Sequence, residues 1–250
     1  MFAKWRVVGL EVHDGFMNMA IDETVSEGAS KRVSPPTIRF YRWKPSAVSI
    51  GCFQSLLDEV DVKKCKELGI DYVRRRTGGG AVYHDYNGEI TYSVIAPESF
   101  FPKGITESYK VICGWVIEGL KLLGVEGYFQ PVNDIIVEGK KISGNAQTRR
   151  GGVLLQHGTI LYDLDLKTMF AVLRVGDEKI SDKMIKSVEE RVTRLLNHVN
   201  VNIKDVTKAL IKAFTKGKNY EMKPWTKEEL RRAKELVSLR YKTKEWNFSR

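Results

Sequence analysis

The densest concentration of side chains able to do chemistry is the run Arg74-Arg-Arg-Thr-Gly-Gly-Gly-Ala-Val-Tyr-His-Asp85. Contiguous glycines after a strand let the backbone take positive φ and approach a ligand closely, so that N–H groups can face phosphate or carboxylate oxygens. The adjacent arginines would supply permanent positive charge with a fork geometry suited to the same oxygens. Arg75 with Gly78, Gly79 and Gly80 therefore reads as an anion-binding loop. It is not a P-loop, because no Gly-Lys-Ser/Thr follows, and not a dinucleotide fingerprint, because the glycines are contiguous. The competing reading is a glycine hairpin with incidental surface arginines.

A second run, Asn133-Asp-Ile-Ile-Val-Glu-Gly-Lys-Lys-Ile-Ser-Gly-Asn-Ala146, combines a carboxylate with lysines across a glycine turn. Asp134 suits Mg²⁺ bridging nucleotide phosphates, since that ion usually takes only one or two protein carboxylates. The Lys141 ammonium could neutralise charge on a reacting phosphate. Taken alone, the lysine pair reads equally as the solvated end of a hairpin. A third run, Gln156-His-Gly-Thr-Ile160, places His157 in a β-rich segment, where a histidine is commonly a satisfied structural residue.

The elements that must position these residues follow from periodicity and breakers. Strands are expected at Trp5–Val12, Thr37–Trp43, Ala47–Gly51, Ile70–Arg74, Ala81–His84 and Glu89–Ile95, with an antiparallel meander from Asp134 to Tyr162. Helices are expected at Asn18–Val25, stopped by Gly28, and at Val62–Leu68, Ser108–Leu123, Leu166–Val172, Ser187–Leu196, Ile203–Phe214 and Lys227–Leu239. Strand pairs with segregated helices describe an α+β fold, with mixed, mainly antiparallel sheets. No internal repeat, low-complexity tract or linker divides residues 1–250, so a single domain is expected.

Composition narrows the function classes. With 42% hydrophobic residues in 250, the chain can bury a large core. No apolar run approaches the roughly 20 residues of a membrane span, and Met1–Gly15 is too charged for a signal peptide, so the expected location is the cytoplasm. The +10 formal charge favours acidic partners. It is spread partly over helix faces such as Lys227–Lys234, without the basic stripe interleaved with aromatics that would indicate nucleic acid. Cys52, Cys65 and Cys113 lack the spacing of a zinc site or disulfide framework and read as free thiols.

Together, the order Arg-Arg-x-Thr-Gly-Gly-Gly-x-Val-x-His-Asp, Asn-Asp-Ile, Lys-x-Ser-Gly-x-Ala and His-Gly-Thr resembles the lipoate–protein ligase family. Asn18–Glu23 resembles its early Asn-x-Ala-x-Asp/Glu segment, and Lys244–Phe248 the end of its large domain. The resemblance implies the biotin/lipoate ligase catalytic fold. It also implies that Arg75, Gly78, Gly79 and Gly80 line the lipoyl and phosphate site, with His157 shaping the lipoyl pocket. Lys141 would be the catalytic contact to the acyl carbonyl and phosphate, Asp134 would hold Mg²⁺, and Tyr83, His84 and Asp85 would lie near the nucleotide. The implied substrates are lipoic acid, ATP and apo-lipoyl domains of 2-oxoacid dehydrogenases or the glycine-cleavage H protein.

One segment departs from the ligase pattern. Ligases continue His-Asp-x-Gly-Asn, whereas this chain reads His84-Asp-Tyr-Asn-Gly-Glu89, closer to the related octanoyltransferases. Relatives that move acyl groups through a cysteine thioester place that cysteine just before the Asn133-Asp134 position or beside the His-Gly segment. Neither Gly127–Val132 nor Leu155-Gln156 contains one. ATP-dependent ligation is accordingly the leading expectation, with octanoyl or lipoyl transfer between carrier proteins as the alternative and a non-catalytic lipoyl binder as a third reading. Many ligases of this family carry a small domain after the Trp-Asn-Phe segment. Because this chain stops at Arg250, a separate small accessory subunit is expected.

Overall fold

Two sheets carry the chain in the computed structural model, which describes residues 4–174 and 182–250. Strand β1 (Trp5–His13) leads into helix α1 (Gly15–Ser30), strands β2 (Thr37–Trp43) and β3 (Ala47–Ile50), and helices α2 (Leu56–Glu59) and α3 (Val62–Leu68). Strands β4 (Asp71–Arg74), β5 (Val82–His84) and β6 (Glu89–Pro97) follow, then helix α4 (Ile105–Leu122). The meander comprises β7 (Tyr128–Gln130), β8 (Asp134–Val137), β9 (Lys140–Arg150) and β10 (Val153–Leu161). Helices α5 (Leu166–Val172), α6 (Asp182–Glu189) and α7 (Ile203–Thr215), strand β11 (Tyr220–Met222), and helices α8 (Lys227–Leu236) and α9 (Lys244–Asn247) complete it.

The large sheet has the order β11-β1-β2-β6-β10-β9-β8-β7, and the small sheet β4-β3-β5. Pairing is parallel for β11-β1-β2 and for β3-β4, and antiparallel elsewhere. This is the expected α+β architecture. Strands β6 and β10 are buried on both faces because helices cover both sides of the large sheet.

Local chemistry sets the helix starts. The Asp14 carboxylate accepts the Met17 N–H at 2.7 Å, Asp61 caps α3 and Asn202 caps α7. Thr226 and Glu229 form a reciprocal capping box at α8. Two of the boundaries that differ from the expectation have a visible tertiary cause. Helix α1 passes through Gly28, whose missing side chain makes room for Ser34: a Cβ there would lie 2.2 Å from Ser34 Oγ. The helix expected over Ser187–Leu196 ends at Glu189 as part of α6. Beyond it the chain pairs with β9, the Lys141 N–H donating to Arg191 O and the Thr193 N–H to Lys141 O, both at 2.8 Å. Satisfying that strand edge outweighs helix propensity.

Packing follows the layers. On one face α4 and α7 close over Phe40, Tyr92 and Val94, with Phe214 edge-on to Phe40, Tyr92 and Trp115 at 5.0–5.6 Å. On the other, α1 and α8 cover Tyr41, Trp43 and Ile95. A third cluster joins the small sheet to α3 and α5 through Val48, Ile50, Cys65 and Val172. Buried charges tie the second face together: Arg39 meets Asp22 at 3.0 Å, and Arg6 grips Glu229 through two bonds of 2.6 and 2.8 Å. Paired in this way, these groups avoid the penalty of isolated buried charge.

Phe214→Ala should open a cavity among three aromatic rings and cost about 3–5 kcal/mol. Urea unfolding of wild type and variant measures it. A loss below about 1 kcal/mol would mean that Phe214 does not anchor α7 to the sheet.

Candidate active site

A cavity of about 380 Å³ lies between the small sheet, the glycine run and strands β9 and β10. Met19, Tyr41, Trp43 and Met169 give it an apolar wall; Lys141, Arg75, His84 and His157 bring polar groups. Gly79, Gly80 and Tyr83 also line it. Of the remaining residues singled out in the sequence, Gly78 sits in the same loop, Asp134 contacts Lys141, and Asp85 is turned to other partners.

The three arginines are all engaged by the protein, Arg74 and Arg75 through all three guanidinium nitrogens and Arg76 through Nη1. Arg74 anchors the C-terminal segment, donating to Trp246 O at 2.9 Å and Asn247 O at 2.8 Å, and also to Gln54 O. Arg76 pairs with buried Glu23, which also receives Arg240 and the Tyr241 hydroxyl. Arg75 donates through Nε to Thr77 Oγ1 (3.1 Å), through Nη1 to Ser49 O and Oγ (both 3.1 Å), and through Nη2 to Gly78 O (2.8 Å) and Gly80 O (2.7 Å). Burial pushes its pKa down to about 10, so it remains protonated at neutral pH. Arg75 thus lines the cavity and organises the glycine loop from beneath, whereas Arg74 and Arg76 are engaged by other parts of the protein.

Arg75 turns the Gly78 and Gly80 carbonyls inward, and Gly79 takes φ +94°. Among the described residues no protein acceptor takes the N–H groups of Gly78, Gly79, Gly80 or Ala81. Those donors form the anion-facing surface. Gly51 is needed for the same fold of the loop, because a Cβ on it would lie 2.1 Å from Gly79 O.

Lys141 stands just past the β8–β9 turn at Glu138 and Gly139, both with positive φ, its side chain 40% exposed. Its Nζ lies 2.8 Å from Asp134 Oδ1, yet that buried oxygen has no properly directed hydrogen bond. The lone pair thus left suits a single-carboxylate Mg²⁺ contact shared with substrate phosphates. Among the described residues no cluster of three or more His, Cys, Asp or Glu forms a protein-only metal cage. Asp85 is committed elsewhere, accepting the backbone N–H groups of Asn87 at 2.9 Å and Asp165 at 3.0 Å. The Asn87-Gly88 departure has a packing cause: a Cβ at Gly88 would meet Asp163 O at 2.3 Å.

Both cavity histidines belong to hydroxyl–imidazole–carboxylate chains. His157 Nε2 lies 2.8 Å from Thr77 Oγ1 and its Nδ1 3.4 Å from Asp22 Oδ2. Burial chiefly, opposed by Asp22, holds the His157 pKa below its ordinary value. His84 Nε2 lies 2.8 Å from Ser49 Oγ and its Nδ1 2.8 Å from Glu89 Oε1, the ring stacked on Trp43 at 3.9 Å. Ser49, Trp43 and Glu89 carried no motif in the sequence, since a serine or tryptophan in an apolar strand gives no spacing signal. None of the cysteines lines the cavity. Burial pushes the thiols of Cys65 and Cys113 up to about 12, far from thiolate chemistry.

The model for the lipoyl protein ligase A/B catalytic domain matches residues 14–215. Over 99% of both lengths the chain is 37% identical to octanoyltransferase LipM of Brevibacillus brevis and 38% identical to that of Staphylococcus aureus. Among solved structures it is similar to a bipartite lipoate protein ligase from Thermoplasma acidophilum, at 34% identity and TM-score 0.88, covering 99% of this chain and 97% of that one. Lipoate-protein ligase A bound with ATP matches at 31% identity and TM-score 0.84 over 99% of both chains. The fold expectation is met. The curated relatives are thus named octanoyltransferases, and the similar solved structures lipoate protein ligases. Among the described residues no helix is long and apolar enough to cross a membrane.

Gly51→Ala should destabilise the protein by about 1–3 kcal/mol through overpacking against Gly79. Gly80→Ala, with nothing within 4 Å of its Cβ, should change stability by less than about 0.5 kcal/mol. Equal losses in urea unfolding would refute the close approach.

His157 also gives a pH prediction. A folded pKa below 6.5 means that the unfolded chain binds the proton more tightly, so this contribution is fully present above pH 6.5 and is lost as pH falls through the lower folded value. Stability should therefore decline on acidification from pH 7 to 5, and His157→Gln should flatten that decline. An unchanged slope in the variant would exclude His157 as its source.

Proposed function

This chain belongs to the lipoyl protein ligase A/B catalytic-domain family, and on that premise we propose that it transfers an octanoyl or lipoyl group from one carrier protein to a lysine of another. The acceptor would be an apo-lipoyl domain of a 2-oxoacid dehydrogenase or the glycine-cleavage H protein. The observation that carries this reading is an apolar cavity meeting both the free N–H groups of the glycine run and the Lys141 ammonium. An acyl chain fits the wall, and its carbonyl oxygen, which gains negative charge when a nucleophile attacks, fits the donors. Nearly full-length likeness to octanoyltransferases supports a carrier protein as acyl donor.

A second reading, ATP-dependent ligation of lipoic acid, is favoured by two specific observations. No thiol lines the cavity, and Asp134 Oδ1 retains capacity for Mg²⁺. In that reaction a carboxylate attacks the α-phosphate of ATP, pyrophosphate leaves, and the carrier lysine displaces AMP from the acyl-adenylate. Lys141 and the glycine N–H groups would stabilise the phosphorus oxygens, and Mg²⁺ would offset phosphate charge. Likeness to a ligase described as bipartite supports a separate small subunit within this reading.

The donor distinguishes the two. The purified chain with an apo-lipoyl domain should form octanoylated product from octanoyl-loaded acyl carrier protein without ATP. Modification that instead requires a free acid and Mg-ATP, with release of pyrophosphate, would replace the transfer reading by ligation. With the productive donor, Lys141→Ala should slow modification by about 100-fold to 1,000-fold and alter stability by less than about 0.5 kcal/mol. A near wild-type rate would remove Lys141 from the chemistry.

A further inference from the structure

Ser49 lies on the cavity wall, 2% exposed, in the strand beneath the glycine run. Its hydroxyl meets two groups, Arg75 Nη1 at 3.1 Å and His84 Nε2 at 2.8 Å. Arginine can only donate, so the serine oxygen accepts from Arg75; the Glu89 carboxylate can only accept, so a neutral His84 ring turns its N–H to Glu89 and leaves Nε2 to take the Ser49 proton. Nε2 is then the acceptor nitrogen, and Nδ1 carries the hydrogen donated to Glu89 Oε1 at 2.8 Å. The hydrogen bonds therefore impose the tautomer in which His84 can remove the Ser49 proton.

Glu89 gives this relay its driving force. It is wholly buried, its Oε2 has no hydrogen-bond partner, and among the described residues no lysine or arginine nitrogen lies within salt-bridge distance. Among the described residues the imidazole of His84 is the one cation-forming group in contact with it, so a proton passed to His84 from Ser49 would be paired with the carboxylate. The Thr77–His157–Asp22 chain differs on this point. Asp22 is already neutralised by Arg39 at 3.0 Å, and its contact to His157 is longer, at 3.4 Å.

We propose that Ser49 is a catalytic nucleophile that carries the acyl group as an oxygen ester between donor and acceptor proteins, with His84 as its base and Glu89 orienting His84. The proposal rests on the carrier-to-carrier reading above and supplies the nucleophile that the cavity's lack of cysteine leaves open. Ser49 Oγ attacks the donor thioester carbonyl while its proton passes to His84 Nε2. The C–S bond breaks, and the departing sulfur takes that proton, leaving acyl-Ser49. A neutral acceptor lysine amine then attacks the ester, giving its proton to His84, which returns it to Ser49 Oγ as the C–O bond breaks and the amide is released. Arg75 Nη1, touching Ser49 Oγ, favours the developing alkoxide.

The test is intact-mass and peptide mapping after mixing the chain with octanoyl-loaded acyl carrier protein in the absence of acceptor. One octanoyl group on Ser49, stable to neutral hydroxylamine as an oxygen ester, is expected. Ser49→Ala should lose the adduct and slow transfer about 100-fold or more. Ser49→Cys controls for folding: it should carry the adduct as a thioester that neutral hydroxylamine releases. Transfer that proceeds with the adduct on Cys52, or with no adduct and undiminished in folded Ser49→Ala, would overturn Ser49 while leaving the transfer reading intact. No transfer from the loaded carrier under any condition, with modification from free acid and Mg-ATP, would overturn both.

Discussion

The guanidinium of Arg75 is the fixed point from which the cavity is built. Its five N–H groups reach β3, Thr77 and two carbonyls of the glycine run, joining a strand to a loop that has no regular hydrogen bonding of its own. Burying a charged group with every donor satisfied makes the arrangement stiff, because any displacement would leave a charged donor unpaired away from water. Carbonyls drawn towards Arg75 leave the loop N–H groups for a ligand. The same side chain constrains two hydroxyl groups, and through them two histidines. Loop shape and imidazole tautomer thus depend on one cation.

This arrangement changes the meaning of the positive charge. Arg39, Arg74, Arg75 and Arg6 are all but fully buried and engaged by carbonyls or carboxylates, so they serve the interior. At the cavity the clamped Arg75 is joined by Lys141, whose side chain is 40% exposed, and by backbone dipoles. A lysine on a flexible stem can follow a carbonyl oxygen or a phosphate oxygen as the substrate changes, whereas a clamped guanidinium cannot.

The sequence made legible what depends on local pattern: the glycine run, the Lys141 hairpin, most strands and the α+β layering. It misplaced what depends on tertiary competition. Gly28 looked like a helix stop, but its lack of a side chain serves the contact with Ser34. The segment after Glu189 reads as helical until the open edge of β9 at Lys141 recruits it. Arg74 and Arg76 have the composition of an anion site, and only the partners brought from residues 23 and 246–247 show that they bind the protein itself. Ser49 and Glu89, separated by 40 positions and held by His84, are invisible to any spacing rule.

Ligation and transfer share more physics than their donors suggest. Both end with a lysine amine attacking an activated acyl carbonyl, and both require donors where the carbonyl oxygen becomes anionic. A site built from Lys141 and free backbone N–H groups would meet that carbonyl oxygen in either case, whereas an alcohol leaving group would also need a proton, which AMP does not. The division between the two activities therefore lies one step earlier, in how the acyl group becomes activated. Nucleotide activation would need phosphate charge to be neutralised in the cavity; carrier activation would need a nucleophile on its wall. The Ser49–His84–Glu89 chain bears on only one of these requirements, because it sets a hydroxyl against an imidazole on the cavity wall, and attack on phosphorus by an already ionised carboxylate releases no proton for such a chain to take.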